Sequence, residues 1–226
     1  MSVPVVTIDG PSGSGKGTIS LTIAQKLGWH FLDSGALYRL LALSLLNKNL
    51  SFDDESVMAD MARGLDIHFS AETGGEVEIY LENKQVTNEI RTEKCGNAAS
   101  KVAAVPAVRE ALLERQRGFR QPPGLVADGR DMGTVVFTDA PLKIFLTASA
   151  EERAKRRYNQ LKQKGIDANL AALQDEIAER DKRDAGRAVS PLKAAEDAVI
   201  IDSTHMSVDE VVTQIMALCQ DSILKK

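Results

Sequence analysis

The stretch "VVTIDGPSGSGKGTIS", residues 5–20, constrains this chain more than any other part of it. Val5, Val6 and Ile8 favour a strand, while Ile19, Ile23 and Leu27 recur at i, i+4 and i+8 and mark one face of a helix beginning near Lys16. Between them, Gly10, Pro11, Ser12, Gly13, Ser14, Gly15, Lys16 and Gly17 carry the G-x-x-x-x-G-K spacing of a phosphate-binding loop. A strand that runs through such a loop straight into a helix is the opening unit of a parallel α/β sheet. The loop's backbone N–H groups wrap polyphosphate oxygens, its glycines permit the close approach, and the lysine adds a mobile cation. The helix that follows points its positive end at the same anion. The hydroxyl of the strict motif arrives one step late, at Thr18 behind Gly17, which leaves direct and water-mediated contact with Mg²⁺ both open. Gly13-x-Gly15-x-x-Thr18 lacks the third glycine of a dinucleotide fingerprint, and Asn47-Lys48-Asn49 lacks the aspartate that would read guanine. ATP is therefore the expected nucleotide.

Four further apolar runs, at 29–33, 124–128, 142–147 and 198–202, join 3–9 as strands, and helical patterns separate them. Near-continuous apolar strands alternating with helices predict a five-stranded parallel sheet flanked by helices, with right-handed crossovers. Four runs end in an acid, Asp9, Asp33, Asp128 and Asp202, at the rim where open α/β sheets bind ligands. Ser149-x-x-Glu152 and Ser207-x-x-Glu210 read as capping boxes, each opening a long helix. Two segments break the rhythm. In residues 66–87, Val77, Ile79 and Leu81 alternate away from a Gly74-Gly75 turn, which predicts an antiparallel hairpin inside an inserted subdomain, 64–96. Residues 151–165 hold six Lys or Arg against two Glu, partly a solvated helix face and partly a short helical lid, 151–167, suited to closing over polyphosphate.

With 226 residues the chain suffices for a single α/β domain with insertions. Its net charge of −4 and 4% aromatic content argue against a nucleic-acid-binding surface. Cys95 and Cys219 lie far apart without metal-binding spacing and read as reduced thiols. The first residues show no basic and apolar leader, and no apolar run reaches membrane-spanning length, so a cytoplasmic protein without a membrane partner is expected. With no long heptad pattern to read, the expected state is a monomer.

Three stretches address what receives the phosphate. "FLDSGALYR" (31–39) places Asp33 and Ser34 at a strand end and Arg39 on the helix behind. "ADGRDMG" (127–133) does the same for Asp128, Arg130 and Asp131. "ERDKRDAGR" (179–187) sets Arg180 and Asp184 at i, i+4 on one helix face, with Arg183 between and Arg187 close after. Together with "IDGPSGSGKGT", "NAASKVA" (97–103), "VREAL" (108–112) and "ERDKRDAGRAVSPL" (179–192), these resemble the bacterial cytidylate kinases, a branch of the nucleoside monophosphate kinases, nearly end to end.

The resemblance implies a P-loop kinase core and transfer of the ATP γ-phosphoryl to CMP or dCMP, with Mg²⁺ on the ATP phosphates. It implies that Ser100, Arg109 and Asp131 hold cytosine. It further implies that Ser34, Arg39, Arg130 and Arg187 hold the monophosphate or the transferring group, and that Arg180 and Asp184 meet the sugar and neighbouring charges. Lys16, Arg130 and Arg187 would then be catalytic, and the stretch from Arg153 to Arg157 would belong to the lid over ATP. The chemistry agrees: a carboxylate can accept from the N4 amino group of cytosine, whereas uracil would present a carbonyl there. An unpaired buried acceptor costs about 1–3 kcal/mol, which favours CMP over UMP by one to a few decades. A phosphate acceptor needs no strong base, which suits the scattered His30, His68 and His205. Asp33 and Asp128 are candidates for Mg²⁺ contact through water, against plain turn and helix-start roles. A P-loop kinase with another acceptor (UMP, AMP or an alcohol) and an ATP-controlled switch remain as alternatives.

Overall fold

A computed structural model describes residues 3–70, 78–163 and 165–224, which divide into two compact units, 3–33 with 116–224 and 34–115. The first unit contains five parallel strands: β1 (Val5–Asp9), β2 (His30–Asp33), β6 (Leu125–Gly129), β7 (Leu142–Thr147) and β8 (Val199–Asp202). The order across the sheet is β2-β6-β1-β7-β8, so β1 is central and pairs with both β6 and β7. Every residue of β1 and β6 is buried, as continuous apolar runs should be between two helix layers, while β2 and β8 are edges with exposed positions. Helix α1 (Lys16–Leu27) and helix α8 (Val208–Cys219) pack on the sheet, with Ile19 and Ile23 meeting Val6, Ile8, Ile144, Val211 and Ile215. Each fully buried aliphatic side chain of this kind contributes about 1.5–3 kcal/mol.

Helix α8 opens with the complete capping box expected at Ser207 and Glu210. Helix α6 (Ala150–Gln163) keeps half of its own: Ser149 Oγ accepts from Glu152 N–H, but the Glu152 carboxylate pairs with Arg156. The reach of the Glu152 carboxylate back to the cap gives way there to an i, i+4 ion pair. Helix α7 (Leu170–Ala185) starts at Asn169, whose side chain accepts from Ala172 N–H, and stops at Gly186. Asp202 ends β8 as expected but accepts from Thr204 N–H and Oγ–H, which makes it a turn residue.

The second unit is built on α2 (Ser34–Asn47), apolar on nearly every face and buried, which packs against α3 (Glu55–Arg63) and α4 (Glu93–Val102). Asp54 and Thr92 cap α3 and α4 through Val57 N–H and Cys95 N–H. α5 (Pro106–Arg117) closes the unit. Three antiparallel strands, β3 (Ile67–Ser70), β4 (Glu78–Leu81) and β5 (Lys84–Gln85), lie within the span read as the insert. The Gly74-Gly75 turn and Val77 fall outside the described residues, as does Lys164 of the basic stretch. β5 was not read from the sequence; it is joined to β4 through Glu82 and Asn83, at φ 50° and 64°, a two-residue turn of the type that matches strand twist.

Both cysteines are free and buried. Burial pushes the Cys219 thiol up to about 11, and raises that of Cys95 against the pull of Arg39. Neither thiol should react with an aromatic disulfide reagent at pH 8 in the native protein, and both should react in guanidinium. Prompt native labelling would show one of them to be accessible.

Candidate active site

The loop between β1 and α1 adopts its shape through glycine. Gly10 lies at φ 151°, and a Cβ there would run into the Leu146 carbonyl oxygen of β7. Gly15, at φ 91°, ends the loop and caps α1 without a side chain, and no acid occupies the first turn. The helix therefore presents bare N–H groups and a positive dipole end to an incoming anion. Lys16 is the first residue of α1, buried at 6% exposure, with its ammonium donating to the Pro11 carbonyl at 2.8 Å. Burial, with Arg130 and Arg180 nearby, lowers its pKa to about 7 against the opposing pull of Asp128 and Asp9. A polyphosphate delivered there would hold the ammonium fully charged. Thr18 follows two residues on, exposed.

Helix α6 supports this loop from the side. Arg153, read as a lid residue over ATP, is 4% exposed and donates to the carbonyls of Ala148 and Ser12 while pairing with Asp181 of α7. Its guanidinium holds the loop's own backbone, a role that an abundance of basic residues in the sequence does not reveal. Arg156, inside the stretch read as the lid, reaches the carbonyls of Ser14 and Ser203, the Ser203 hydroxyl and Glu152. Arg157 donates to Gln160 one turn further.

The segment after β6 supplies the next groups. Asp128 and Asp33 are register partners at the ends of neighbouring strands. Burial raises the Asp128 carboxyl to about 7; Lys16 and Arg130 pull it down, and Asp33 and Asp9 push it up. Arg130 donates to Asp184 at 3.0 Å and to the Gly129 carbonyl at 3.2 Å. Asp184, on the last turn of α7 and 1% exposed, also accepts from Arg187. Burial alone would raise the Asp184 carboxyl, but Arg130, Arg187 and Arg180 outweigh it and hold the group below the usual range. The helix stops before Arg187, so this arginine reaches Asp184 from the loop beyond Gly186 rather than from the helix face. Asp131 is buried and opens a single five-residue π turn, Met132–Val136. Asp9 accepts from the Met132 and Gly133 N–H groups, both at 2.8 Å; burial raises its carboxyl to about 6 against those two bonds.

In the second unit, Ser34 begins α2 and is buried. Arg39 donates to the carbonyls of Ile90 and Thr92, and its Nη2 lies 3.0 Å from where a Cβ on Gly96 would stand. Ser100 on α4 is buried, and Arg109 on α5 donates to the Ala103 carbonyl with its guanidinium 5.6 Å from the centre of the Tyr38 ring. The structure thus gathers Lys16, Asp128, Arg130, Arg180, Asp184 and Arg187 in one unit, and Arg39, Ser100 and Arg109 in the other. Among the described residues no three His, Cys, Asp or Glu side chains converge to hold a metal by themselves. The Asp33–Asp128 rung beside the loop still fits Mg²⁺, which usually takes one or two carboxylates, water and the substrate's phosphates.

A central parallel strand feeding a glycine loop and buried lysine into a helix, with arginines converging at the same strand ends, defines a P-loop kinase. The family model for cytidylate kinase matches residues 6–221, and the chain belongs to that family. A cytidylate kinase from Methylococcus capsulatus is 58% identical over 219 residues, covering 97% of this chain and 98% of that protein. One from Stutzerimonas stutzeri is 60% identical over 220 residues, covering 97% and 96%. Among solved structures, a shikimate kinase from Acinetobacter baumannii aligns over 98% of this chain and 96% of that one with TM-score 0.47 and 14% identity.

Proposed function

We propose that this protein transfers the γ-phosphoryl group of ATP to CMP and dCMP, giving ADP with CDP or dCDP, in pyrimidine nucleotide metabolism in the cytoplasm. The observation that carries the reading is the Arg130–Asp184–Arg187 cluster on the unit that holds the P-loop. Two arginines oriented by one buried acid suit an anionic acceptor, whereas an alcohol acceptor would call for a base. Gly10 to Thr18 hold the ATP phosphates, and Lys16, Arg130 and Arg187 bear on the charge that develops on the transferring group. The segment 151–167 acts as the lid, with Arg153 bracing the P-loop and Arg157 belonging to the part that closes over ATP. The acceptor contacts are Ser34, Arg39, Ser100, Arg109, Arg130, Asp131, Arg180, Asp184 and Arg187. Residues 64–96 form the inserted part of the acceptor region. Asp131 accepts from the cytosine amino group, and Arg109 donates to N3 or O2.

Asp33, Asp128 and Thr18 would hold Mg²⁺ through water. When bound, the ion screens the charge of the ATP phosphates. The working state is a monomer.

The test is ADP production from ATP with CMP, dCMP, UMP, AMP, GMP or no acceptor in parallel. CMP and dCMP should exceed UMP by ten-fold or more, on the order of the 1–3 kcal/mol that one mismatched buried contact costs. Equal rates with every acceptor, or none above the blank, would overturn the reading.

A further inference from the structure

Asp9 ends the central strand one residue before the P-loop, yet its carboxylate faces the other half of the site. One oxygen accepts from Met132 N–H and the other from Gly133 N–H, each at 2.8 Å and 123 and 124 residues away in sequence. These are the first two amides of the π turn Met132–Val136, groups that the turn cannot satisfy internally. The amides of Val135 and Val136 return to the Asp131 carbonyl, so the turn is closed onto Asp131 at one side and onto Asp9 at the other. The space around it is full. A Cβ at Gly133 would stand 2.9 Å from Thr7 Oγ1 and 3.2 Å from Lys143 Cδ, and one at Gly129 would stand 2.7 Å from Met132 Cγ. The turn is therefore fixed between β1 and β7 by one buried, charge-assisted pair of hydrogen bonds.

We propose that Asp9 is a positioning residue for the acceptor: by holding the turn that starts at Met132, it sets where Arg130 and Asp131 stand relative to the P-loop. It touches neither substrate. This rests on the assignment of Asp131 to cytosine. Asparagine at position 9 has nearly the same shape but can accept from only one of the two amides, and its NH₂ would face the other. The turn must then shift, and a shift of this kind in a positioning element reaches the reacting groups as a loss of orientation.

The experiment compares wild type with Asp9→Asn at pH 8, measuring KM for CMP, KM for ATP and the ratio of kcat/KM for CMP over UMP. Expected in D9N is a rise of about ten-fold in KM for CMP and a fall of about five-fold in the CMP:UMP ratio, with KM for ATP within about two-fold of wild type. A merely structural role would move both nucleotides together. A D9N protein with unchanged KM for CMP and unchanged ratio, or with equal losses for ATP and CMP, overturns the proposal. Should D9N not fold, Gly133→Ala displaces the same turn from the Thr7 side. The same split in G133A supports the proposal, and an unchanged ratio there overturns it. Wild type separates this from the broader reading: no CMP preference in wild type overturns the acceptor assignment itself, whereas a preference that survives intact in D9N overturns only the role of Asp9.

Discussion

Lys16→Ala is expected to lower turnover on the order of 10²–10³-fold, the loss that follows removal of one donor aimed at transition-state charge. The ammonium is buried, donates to the Pro11 carbonyl, and sits among Arg130, Asp128 and Asp9. Its charged form is disfavoured there until an anion arrives, so its energetic worth is concentrated in the loaded state. Lys16→Met separates catalysis from folding. It keeps the apolar length and removes a charge that burial opposes, so its thermal midpoint should equal or exceed that of wild type while turnover falls as in alanine. Near-normal turnover in either variant would remove Lys16 from the reaction, and a collapsed midpoint would assign it to folding.

Asp184→Ala should be the most destabilising single change in the site. Asp184 is 1% exposed and binds Arg130 and Arg187, the latter with only 5% of its side chain exposed. Removing one partner of a buried ionic cluster leaves like charges facing each other and costs about 3–5 kcal/mol. For a chain of this size that lowers the thermal midpoint by about 10 °C. Asp184→Asn retains the shape and one acceptor, so it should fall between alanine and wild type in midpoint while losing about 10²-fold in turnover through misoriented arginines. A midpoint for D184A within a degree or two of wild type would mean that water replaces the carboxylate at no net cost.

The strands were legible because each is a short apolar run bounded by turn residues, and all five stand where the pattern places them. Their order was not, because β6 lies between β1 and β2 and no local pattern records that neighbour. β5 escaped notice as two exposed residues whose existence rests on the Glu82-Asn83 turn. The P-loop lysine and the Arg130, Asp184 and Arg187 set were legible from spacing and resemblance. Arg153 shows the limit of that reading. Its charge suggested ATP, while its burial and its bond to the Ser12 carbonyl are properties of how α6 packs, which a run of basic residues does not encode. Asp9 lies at the same limit: its place at a strand end was visible, but its partners lie more than a hundred residues away.

The strand order also bears on how the chain matures as it leaves the ribosome. Among the described strands β1 pairs with β6 and β7, and β2 pairs with β6. β1 and β2 are not neighbours, and among the described strands neither finds a partner before residue 125 has emerged. Through that interval residues 34–115 can condense on their own around α2, while the P-loop segment waits in a nascent chain that has no sheet to join. A premature stop after residue 115 and before β6 therefore yields a product with a structured middle and two apolar strands without sheet partners, a substrate for chaperones and proteases rather than a partial enzyme.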